Sequence, residues 1–342
     1  MTDRHEGIVL RAVSGVYTVQ RAEDCKSAEF HTPLYGRAPL DSEPIVVHCT
    51  LRGNLKKELQ YTTSGSFAKR VTRAKRGFVN DTIAVGDRVR YVEAKQGAGV
   101  IEEVLPRRSR FSRSGFRGRE QTLVCNLDQI VVVFACAEPN PDPWKLDRFL
   151  VAAEAEGLEP VIVANKCDLV TRSEAEALFA EWAAVGYRVL PTSAKGATGT
   201  EDLREALQGK VSAFVGPSGV GKSSLLNALQ AGLNLKTADI GYVTFKGRHT
   251  TTAAQLIPLR SGGWVADTPG LRNFDLFETE SEDVALYFPE FQPLLGKCRF
   301  DDCRHTNEPG CAIKEAVGRG EISTRRYESF RALAGELEPA RR

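Results

Sequence analysis

A glycine-rich loop between an apolar run and a helical pattern constrains this chain more than any other stretch. The apolar run covers residues 211–215, and the helical pattern begins near residue 223. Strand, glycine loop and helix in this order are typical of a nucleoside triphosphate site. The loop fits the spacing GxxxxGKS, and its residues are Gly216, Pro217, Ser218, Gly219, Val220, Gly221, Lys222, Ser223 and Ser224.

The residue types in this loop suit phosphate chemistry. The glycines Gly216, Gly219 and Gly221 allow successive backbone N–H groups to turn toward a phosphate chain. The following helix directs its positive end to the same place. Lys222 is expected to reach the β- and γ-phosphates, and the Ser223 hydroxyl is expected to hold Mg²⁺. We therefore predict a triphosphate site in an α/β domain.

Length and composition place the chain among ordinary globular proteins. It has 342 residues, of which 42% are hydrophobic and 26% charged, enough for two or three domains. The longest apolar run, residues 130–137, is too short to cross a bilayer, and no secretory segment follows the charged N-terminal residues. We expect a cytoplasmic monomer without a membrane partner, and its eight cysteines are not expected to form a disulfide framework.

The N-terminal third has the pattern of a small β-barrel. Alternating Val, Ile and Tyr residues over 7–20 indicate two strands, and further strand signals occupy 45–51, 58–62, 88–93 and 99–104. About five short strands without a long helix favour a barrel of the OB type. We predict this RNA-binding domain over residues 1–112, with residues 21–44 as an extension.

Positive charge is concentrated in one part of the chain. Residues 52–119 contain 17 Lys or Arg against 6 Asp or Glu, while the net charge of the whole chain is only +2. Such a local excess favours a nucleic-acid partner. The basic run 69–76 could contact phosphates, with Phe67 and Phe78 either stacking on bases or lying in the core. Residues 107–119 are interpreted as a basic linker, either flexible or in contact with RNA.

Strand and helix signals alternate through the middle of the chain. Buried strands are indicated at 130–135, 160–164 and 188–191, and helices at 144–156, 173–184 and 201–207. This alternation predicts a parallel sheet covered on both faces. We place the domain that contains it at residues 113–280, and the phosphate loop belongs to it.

Two loops at strand ends have the residues that recognise guanine. Asn165, Lys166 and Asp168 form the pattern NKxD directly after a strand. A carboxylate at Asp168 can accept hydrogen bonds from both guanine N–H donors, a pair that adenine lacks. Ser193 and Ala194 follow the next strand and provide a second base-contacting loop. The sequence therefore predicts GTP and GDP as ligands.

Two segments after the phosphate loop fit nucleotide-dependent switches. Thr250 and Thr251 lie in the segment GRHTTT and offer a second hydroxyl for Mg²⁺. Asp267 and Gly270 lie in the segment DTPG, where the carboxylate is expected to hold the metal and the Gly270 N–H to meet the γ-phosphate. Such segments become ordered around a triphosphate and are released on hydrolysis.

Four potential metal ligands lie close together near the C-terminus. They follow the spacing Cys-x4-Cys-x-His-x5-Cys and are Cys298, Cys303, His305 and Cys311. Thiolate and imidazole are ligands of tetrahedral Zn²⁺, and a set with no open position is structural. We predict one structural zinc ion in a domain over residues 281–342, which ends in an amphipathic helix at 324–337.

The order of the motifs is permuted. Small GTPases usually have the phosphate loop and switches before NKxD, whereas here NKxD comes first. Together with GPSGVGKSSLLNAL, GRHTTT, DTPG, a basic barrel before and a cysteine cluster after, the chain resembles the ribosome small-subunit-dependent GTPase A family over residues 7–335. The resemblance implies a circularly permuted GTPase that binds the small (30S) ribosomal subunit and its rRNA late in assembly, with hydrolysis stimulated by the subunit.

One position after the second switch bears on catalysis. Leu271 stands where Ras-like proteins have a glutamine that orients water, and its side chain cannot do so. We hypothesise slow intrinsic turnover, with His249 in that role once the ribosome orders the loop. Alternatively, His249 is an exposed loop residue. The predicted catalytic set is His249, Lys222 and Thr251.

Three other functions fit parts of the sequence. A P-loop kinase would use ATP and need an acceptor pocket, and Asp168 argues against it. A non-enzymatic RNA-binding protein would bind nucleotide without turnover. A permuted GTPase of the large ribosomal subunit would share the motif order.

Overall fold

The computed structural model describes residues 4–13, 15–22, 46–52, 83–94, 97–114, 120–230, 254–267 and 280–337. The chain divides into two compact units. The first consists of Met1–Gln129, Glu201–Phe214 and Leu229–Asn273, and the second of Ile130–Thr200, Val215–Ala228 and Phe274–Arg342. Each unit therefore contains segments that are distant in the sequence.

The first unit contains a closed five-stranded barrel. Its strands are β1 (Arg4–Val13), β2 (Val16–Arg21), β3 (Val46–Leu51), β4 (Arg88–Glu93) and β5 (Ala98–Val104). They pair in the order β1-β2-β3-β5-β4, and β4 pairs again with β1 to close the barrel. All these pairings are antiparallel except β3 with β5. The predicted OB-type barrel is confirmed.

Alternation along the strands fills the barrel core. Val9, Val47 and Ile101 are completely buried, and Tyr91 lies among them. The register of β1 shifts between Val9 and Arg11, so the strand bends and can pair with β4, β2 and one further strand. Because every second side chain of a strand points to the same face, these apolar residues form one enclosed core.

A hairpin follows the barrel and was not predicted. It consists of β6 (Arg110–Ser114) and β7 (Glu120–Cys125), which pair in antiparallel fashion. The interpretation of residues 107–119 as a linker is therefore wrong for the part that forms β6. The reason is that Arg and Ser dominate β6, so the sequence lacks an apolar alternation, and the partner strand supplies the stabilising pairing.

The remaining strands of the first unit form a mixed sheet. Strand β11 (Val211–Val215) pairs in parallel with β13 (Trp264–Asp267), which pairs in antiparallel fashion with β12 (Gln255–Pro258). The parallel pairing predicted for the middle of the chain is present between the strands Glu159–Asn165 and Arg188–Pro191, and β12 lies outside the range of that prediction. Helix α3 (Thr200–Leu207) precedes β11. Strand β12 also pairs with β1 of the barrel, and Trp264 donates a 3.1 Å hydrogen bond from Nε1 to Gln20 Oε1.

The second unit has alternating strands and helices. Its strands β8 (Gln129–Ala135), β9 (Glu159–Asn165) and β10 (Arg188–Pro191) are neighbours in the order β10-β9-β8, and β9 pairs in parallel with β10. Every residue of β8 is buried, as expected of a strand covered on both faces. The helices are α1 (Pro143–Ala155), α2 (Arg172–Ala184) and α4 (Lys222–Leu229), close to the predicted ranges.

The C-terminal part of the second unit is mainly helical. Short 3₁₀ helices at Val284–Tyr287 and Gln292–Leu294 precede α5 (Ala312–Gly318) and α6 (Thr324–Leu337). The aromatic rings of Phe288, Phe291 and Phe330 lie with centroids 5.0 to 5.8 Å apart. This cluster gives α6 an apolar contact with the preceding segment, because aromatic pairs at such distances are favourable. The range of α6 agrees with the predicted helix.

Several predicted features lie outside the described residues. These are the strand at 58–62, the basic run 69–76, Phe67, Phe78, most of the extension 21–44, His249, Thr250, Thr251, Gly270 and Leu271. In the part of the chain that is described, no helix has both the length and the apolar character needed to span a membrane.

Candidate guanine-nucleotide site and zinc cluster

The glycine loop between β11 and α4 has the backbone that phosphate binding requires. Gly216 has φ +137°, and a Cβ there would lie 2.1 Å from the Val133 carbonyl oxygen. Gly221 has φ +94°, and a Cβ there would lie 2.6 Å from Asn165 Nδ2. Glycine is therefore required at both positions for two reasons, the positive φ and the close approach of neighbouring atoms.

The Lys222 side chain lies over the glycine loop that precedes it in the sequence. Its Nζ donates hydrogen bonds to the carbonyl oxygens of Gly216 at 2.7 Å and Pro217 at 2.6 Å. The ammonium group is thus already held at the concave side of the loop, where β- and γ-phosphates bind in P-loop proteins. Ser223 is buried in the first turn of α4, and Ser218 and Gly219 are exposed.

Asn165 connects the NKxD loop to the phosphate loop. It is buried at the end of β9 and donates from Nδ2 to the Val220 carbonyl oxygen at 2.8 Å. Its Oδ1 accepts from Thr192 Oγ1 at 3.1 Å. One amide therefore contacts the glycine loop on one side and the loop after β10 on the other. The structure brings the three predicted motif loops together in the second unit.

Asp168 lies at the exposed end of this arrangement. It belongs to the helical turn Cys167–Leu169, and its Oδ1 accepts a 2.6 Å hydrogen bond from Ser193 Oγ. Ser193 is completely buried, and its hydroxyl also accepts from the Gly196 N–H at 3.1 Å. A fixed Ser193 therefore orients the carboxylate while Asp168 remains open to solvent on its other side.

Lys166 contacts a segment that the motif analysis did not identify. Its backbone is left-handed, with φ +58°, and its Nζ donates a hydrogen bond to the Glu138 carbonyl oxygen. Pro139, the next residue, lies 3.7 Å from the place that a Cβ on Gly219 would occupy. The loop at 138–142 therefore forms a further wall beside the base-reading and phosphate loops.

Asp267 ends β13 in the first unit. Burial raises the pKa of this carboxyl above the ordinary Asp value, and the 3.3 Å hydrogen bond from Gln255 Nε2 lowers it in part. A buried carboxylate with one weak donor gains from a cation. The chemistry of Asp267 thus fits the predicted metal ligand. The other switch residues, Thr250, Thr251, His249 and Gly270, lie outside the described residues.

The four C-terminal metal-ligand candidates converge. The ligand atoms of Cys298, Cys303, His305 and Cys311 all lie within 4.8 Å of one another. Cys298 Sγ is 3.4 Å from His305 Nδ1 and 3.9 Å from Cys311 Sγ, and Cys311 Sγ is 3.5 Å from the same nitrogen. Ligands around tetrahedral zinc are separated by about 3.5 to 3.8 Å, which follows from its bond lengths. The cluster therefore fits Zn²⁺.

Hydrogen bonds hold the loop that presents this cluster. The Glu308 carboxylate accepts from the backbone N–H groups of Arg304, Thr306 and Asn307. Burial acts to raise the pKa of Glu308, but these bonds outweigh it and keep the pKa below the ordinary value. Tyr327 of α6 donates from its hydroxyl to the His305 carbonyl oxygen at 2.7 Å. The cluster is thereby attached to the C-terminal helix.

Comparison with known protein families gives a match over residues 104–277, just over half of the chain, to the model described as RsgA GTPase. The chain belongs to the RsgA GTPase family. It is therefore a GTP-hydrolysing enzyme whose family uses guanine nucleotide and Mg²⁺. The predicted family resemblance is confirmed, and the kinase and non-enzymatic alternatives are wrong.

Curated relatives share high sequence identity with this chain. A protein of Gemmatimonas aurantiaca named "Small ribosomal subunit biogenesis GTPase RsgA" is 52% identical over 259 residues, which are 75% of this chain and 84% of the relative. A protein of Moorella thermoacetica with the same name is 46% identical over 252 residues, with 74% and 84% coverage.

Two solved structures resemble this chain over nearly its full length. YjeQ from Thermotoga maritima has a TM-score of 0.75 at 35% identity, covering 99% of this chain and 100% of that protein. YloQ, described as a circularly permuted GTPase, has a TM-score of 0.70 at 27% identity, with 99% and 98% coverage. The predicted fold, a permuted P-loop GTPase domain with an N-terminal barrel, is confirmed.

Several arginines in and beside the barrel have acidic partners. Among residues 52–119, each arginine whose side chain is described lies within 4.0 Å of a carboxylate. These are Arg52 with Glu102, Arg88 and Arg90 with Glu6, Arg107 with Asp87 and Arg108 with Asp128.

Sequence reasoning missed two groups of residues near the site. Glu138 and Pro139 carry no motif, although the proline-rich sequence at 139–143 indicates a tight, fixed loop. Asp147, Arg325 and Arg326 form a buried ionic cluster, and no local pattern distinguishes them from surface charges. The partners come together only in the fold.

Proposed function

We propose that this GTPase binds the small (30S) ribosomal subunit and its rRNA, and hydrolyses GTP to GDP and phosphate there as a late assembly factor. The observation that carries the proposal is the 52% identity to a protein named for small-subunit biogenesis, over 84% of that protein's length. The subunit is proposed to stimulate turnover. The enzyme acts as a monomer in the cytoplasm, where its partner is assembled.

Recognition of GTP is assigned to the loops of the second unit. Asp168 accepts from the two guanine donors, and Ser193 orients it through the 2.6 Å hydrogen bond. The Ala194 N–H is directed to the guanine carbonyl, and the stem of Lys166 covers the base. Asn165 keeps these loops against the glycine loop through Val220. The carboxylate gives preference for guanine over adenine.

Phosphate binding is assigned to the glycine loop and its lysine. Backbone N–H groups of the loop surround the phosphates. They belong to Gly216, Ser218, Gly219, Gly221, Lys222, Ser223 and Ser224. The loop also contains Pro217, and Val220 lies at its centre. Lys222 moves its hydrogen bonds from loop carbonyls to the β- and γ-phosphate oxygens. Developing negative charge in the transition state is then met by fixed donors.

The magnesium ligands that we propose are Ser223, Thr251 and Asp267. These three side chains would hold Mg²⁺, which would supply positive charge beside the phosphates. The raised pKa of Asp267 supports the assignment, because a buried carboxylate is stabilised by a cation. Thr250 and the Gly270 N–H complete the proposed contacts to the γ-phosphate region. The four ligands Cys298, Cys303, His305 and Cys311 are proposed to hold a structural zinc ion.

His249 is proposed as the residue that orients the attacking water. The support is chemical: Leu271 has no polar atom, and a histidine beside the switch threonines can accept a proton or a hydrogen bond. His249→Ala is expected to retain GDP affinity and lose stimulated turnover. A variant that hydrolyses GTP at the wild-type rate with subunits present would contradict this role.

The domain boundaries stay as proposed from the sequence, at 1–112, 113–280 and 281–342. RNA contact is assigned to the basic run 69–76, because five of its eight residues are Lys or Arg. Replacing the Lys and Arg residues of that run with neutral residues is expected to weaken binding to the subunit, whatever the rRNA sequence at the contact. The salt dependence of this binding should also decrease.

The deciding experiment measures the GTPase rate of the pure protein alone, with 30S subunits and with 50S subunits. We expect stimulation by 30S subunits only. The Lys222→Ala protein provides the background for contaminating hydrolysis. Equal stimulation by 50S subunits favours a large-subunit factor, and no stimulation by either refutes the proposal.

A further inference from the structure

A completely buried carboxylate on α1 contacts the C-terminal helix. Asp147 Oδ1 accepts hydrogen bonds from Trp182 Nε1 at 2.7 Å and from Arg326 Nη1 at 2.6 Å. Its Oδ2 accepts from Arg325 Nη1 at 2.6 Å. Both arginines belong to α6, near its first residue, and Trp182 belongs to α2. Three helices therefore meet at one charge.

Arg325 and Arg326 have further partners, which fix the orientation of their guanidinium planes. Arg326 is 1% exposed in its side chain and donates from Nε and Nη2 to both oxygens of Glu290, at 2.7 and 3.0 Å. Its guanidinium lies 4.6 Å from the ring centroid of Phe288. Arg325 reaches Glu181 of α2 and lies over Trp182. Removing one partner leaves an uncompensated buried charge, so the arrangement is strongly specified.

The same helix α1 begins beside the guanine-nucleotide loops. Its N-cap residue is Asp142, which accepts from the N–H groups of Trp144 and Lys145 at 3.1 and 3.3 Å. The loop just before it receives the Lys166 ammonium on the Glu138 carbonyl oxygen. Asp147 is only five residues after Asp142, so little more than one helical turn separates the two contacts.

We propose that Asp147 is a positioning residue that couples guanine-nucleotide binding to the seating of the C-terminal helix α6. The coupling runs from Arg325 and Arg326 through Asp147 to α1, and from the start of α1 to the loop that receives Lys166. A correctly seated α6 keeps this loop in the conformation that binds nucleotide. Because binding coupling is reciprocal, bound nucleotide also holds α6 in place.

The inference rests on the proposed guanine site and adds to it a group that touches no nucleotide. The coupling requires that α1 moves as one element, because helices are rigid over one or two turns. A change of charge at Asp147 therefore alters the loop at 138–142 without touching Asp168 or Lys222. Affinity for nucleotide is affected, while the chemical step on bound GTP is not.

The test compares GDP affinity, KM and kcat for Asp147→Asn, Arg325→Gln and the wild type. We expect both variants to bind fluorescent GDP at least about fivefold more weakly, the lower limit of typical coupling. The KM for GTP rises by a similar factor and kcat stays within about twofold. The matched control is Arg148→Gln, which removes the pair of Arg148 with Glu336 between the same two helices at the surface, where ion pairs contribute little.

A second readout separates coupling from simple support of the fold. In the wild type, GDP is expected to slow hydrogen exchange of the α6 backbone amides, and in Arg325→Gln this protection is lost. If both variants bind GDP like the wild type and only unfold at lower temperature, the network is structural and the inference is overturned. If Asp147→Asn does not fold, Arg325→Gln decides alone.

Failure of the proposed function gives a different result. A wild-type protein that binds GDP but is not stimulated by 30S subunits refutes the ribosomal role and leaves the coupling intact. A protein stimulated by 30S subunits whose Arg325→Gln variant keeps full GDP affinity refutes the coupling and leaves the ribosomal role intact.

Discussion

Asn165 donates a 2.8 Å hydrogen bond from Nδ2 to the backbone carbonyl oxygen of Val220. The two residues are separated by 55 positions, and each belongs to a different nucleotide motif. This bond places the predicted guanine-binding loop against the predicted phosphate loop. The two motifs therefore belong to one site in spite of their permuted order.

Asn165→Asp is expected to weaken GDP and GTP binding by about tenfold to a hundredfold. The carboxylate still accepts from Thr192, but it cannot donate to Val220 and it repels that carbonyl oxygen. A buried acceptor that loses its donor costs about 1–3 kcal/mol, and each 1.4 kcal/mol is a factor of ten. Equilibrium nucleotide binding measures the effect. Thr192→Val is the control, since the bond to Val220 remains, and equal losses in both variants would contradict the assignment.

Asp168→Asn is expected to change nucleotide preference from GTP to XTP. Asparagine presents an N–H donor where the carboxylate accepted, and xanthine has a carbonyl in place of the guanine amine. One of the two guanine hydrogen bonds is replaced by a contact between two donors and the other loses its charge assistance, so GTP affinity falls by at least about a hundredfold. Competition of GTP and XTP against fluorescent GDP measures this. Asp142→Asn in the neighbouring loop keeps a good helix cap and should keep guanine preference.

Gly221→Ala is expected to reduce nucleotide affinity by about tenfold or more. The new methyl group would meet Asn165 Nδ2 at 2.6 Å, in a backbone with φ +94°. Strain of this kind costs about 1–3 kcal/mol and is relieved only by moving the loop. Gly335→Ala is the matched control, because a Cβ there meets nothing within 4 Å and the residue lies inside α6. We expect that change to stabilise the fold by about 0.5–1 kcal/mol in denaturant unfolding.

Asp267→Asn is expected to stabilise the Mg²⁺-free protein at pH 7 and to reduce GTP hydrolysis by at least about a hundredfold. Burial raises the pKa of Asp267, so the unfolded chain ionises at lower pH than the folded protein. Stability from the protonated carboxyl is therefore present below about pH 3.9 and is lost as the pH rises through the raised folded pKa. Asparagine avoids this loss.

Denaturant unfolding at pH 7 and near pH 3.5 measures the stability effect of that change. The advantage of Asp267→Asn should vanish at the lower pH, where the wild-type carboxyl is protonated in both states. Equal stability of the two proteins at pH 7 would show that Asp267 is not desolvated, and normal hydrolysis by the variant would show that it is not a metal ligand.

Cys303→Ser is expected to reduce zinc content from one ion per chain to nearly none. A serine hydroxyl is a poor ligand for Zn²⁺, and the remaining three groups leave the site open to chelators. Elemental analysis of purified protein measures this directly. Cys167→Ser changes a thiol outside the cluster and should retain the ion. A wild-type protein without zinc whose C-terminal helices survive chelator would contradict the assignment.

The sequence predicted elements whose stability comes from local patterns. Strand β10 and helix α6 have the predicted limits, because their apolar periods and flanking turns mark both ends. The three nucleotide motifs were found from residue type and spacing alone. Their convergence follows a general rule, since loops after neighbouring parallel strands lie at the same sheet edge.

Features that depend on distant partners were not predictable. Strand β6 has a single apolar residue, Phe111, among Arg and Ser, and it is defined by its pairing with β7. Arg326 is buried on the face of α6 that was expected to be apolar, because Asp147 and Glu290 neutralise it from 179 and 36 positions away. Strand β12 runs antiparallel to β13, since a short connection allows only that direction.

The hydrogen bonds from β2 through β1 and β12 to β13 form one uninterrupted path in the first unit. Trp264 adds a side-chain bond from β13 back to Gln20 of β2. A ladder of paired strands is stiff along its hydrogen bonds. A displacement of the barrel is therefore transmitted to the residue where β13 ends. That residue is Asp267. We therefore expect rRNA binding to the barrel to displace Asp267, the magnesium ligand that we propose, through these paired strands.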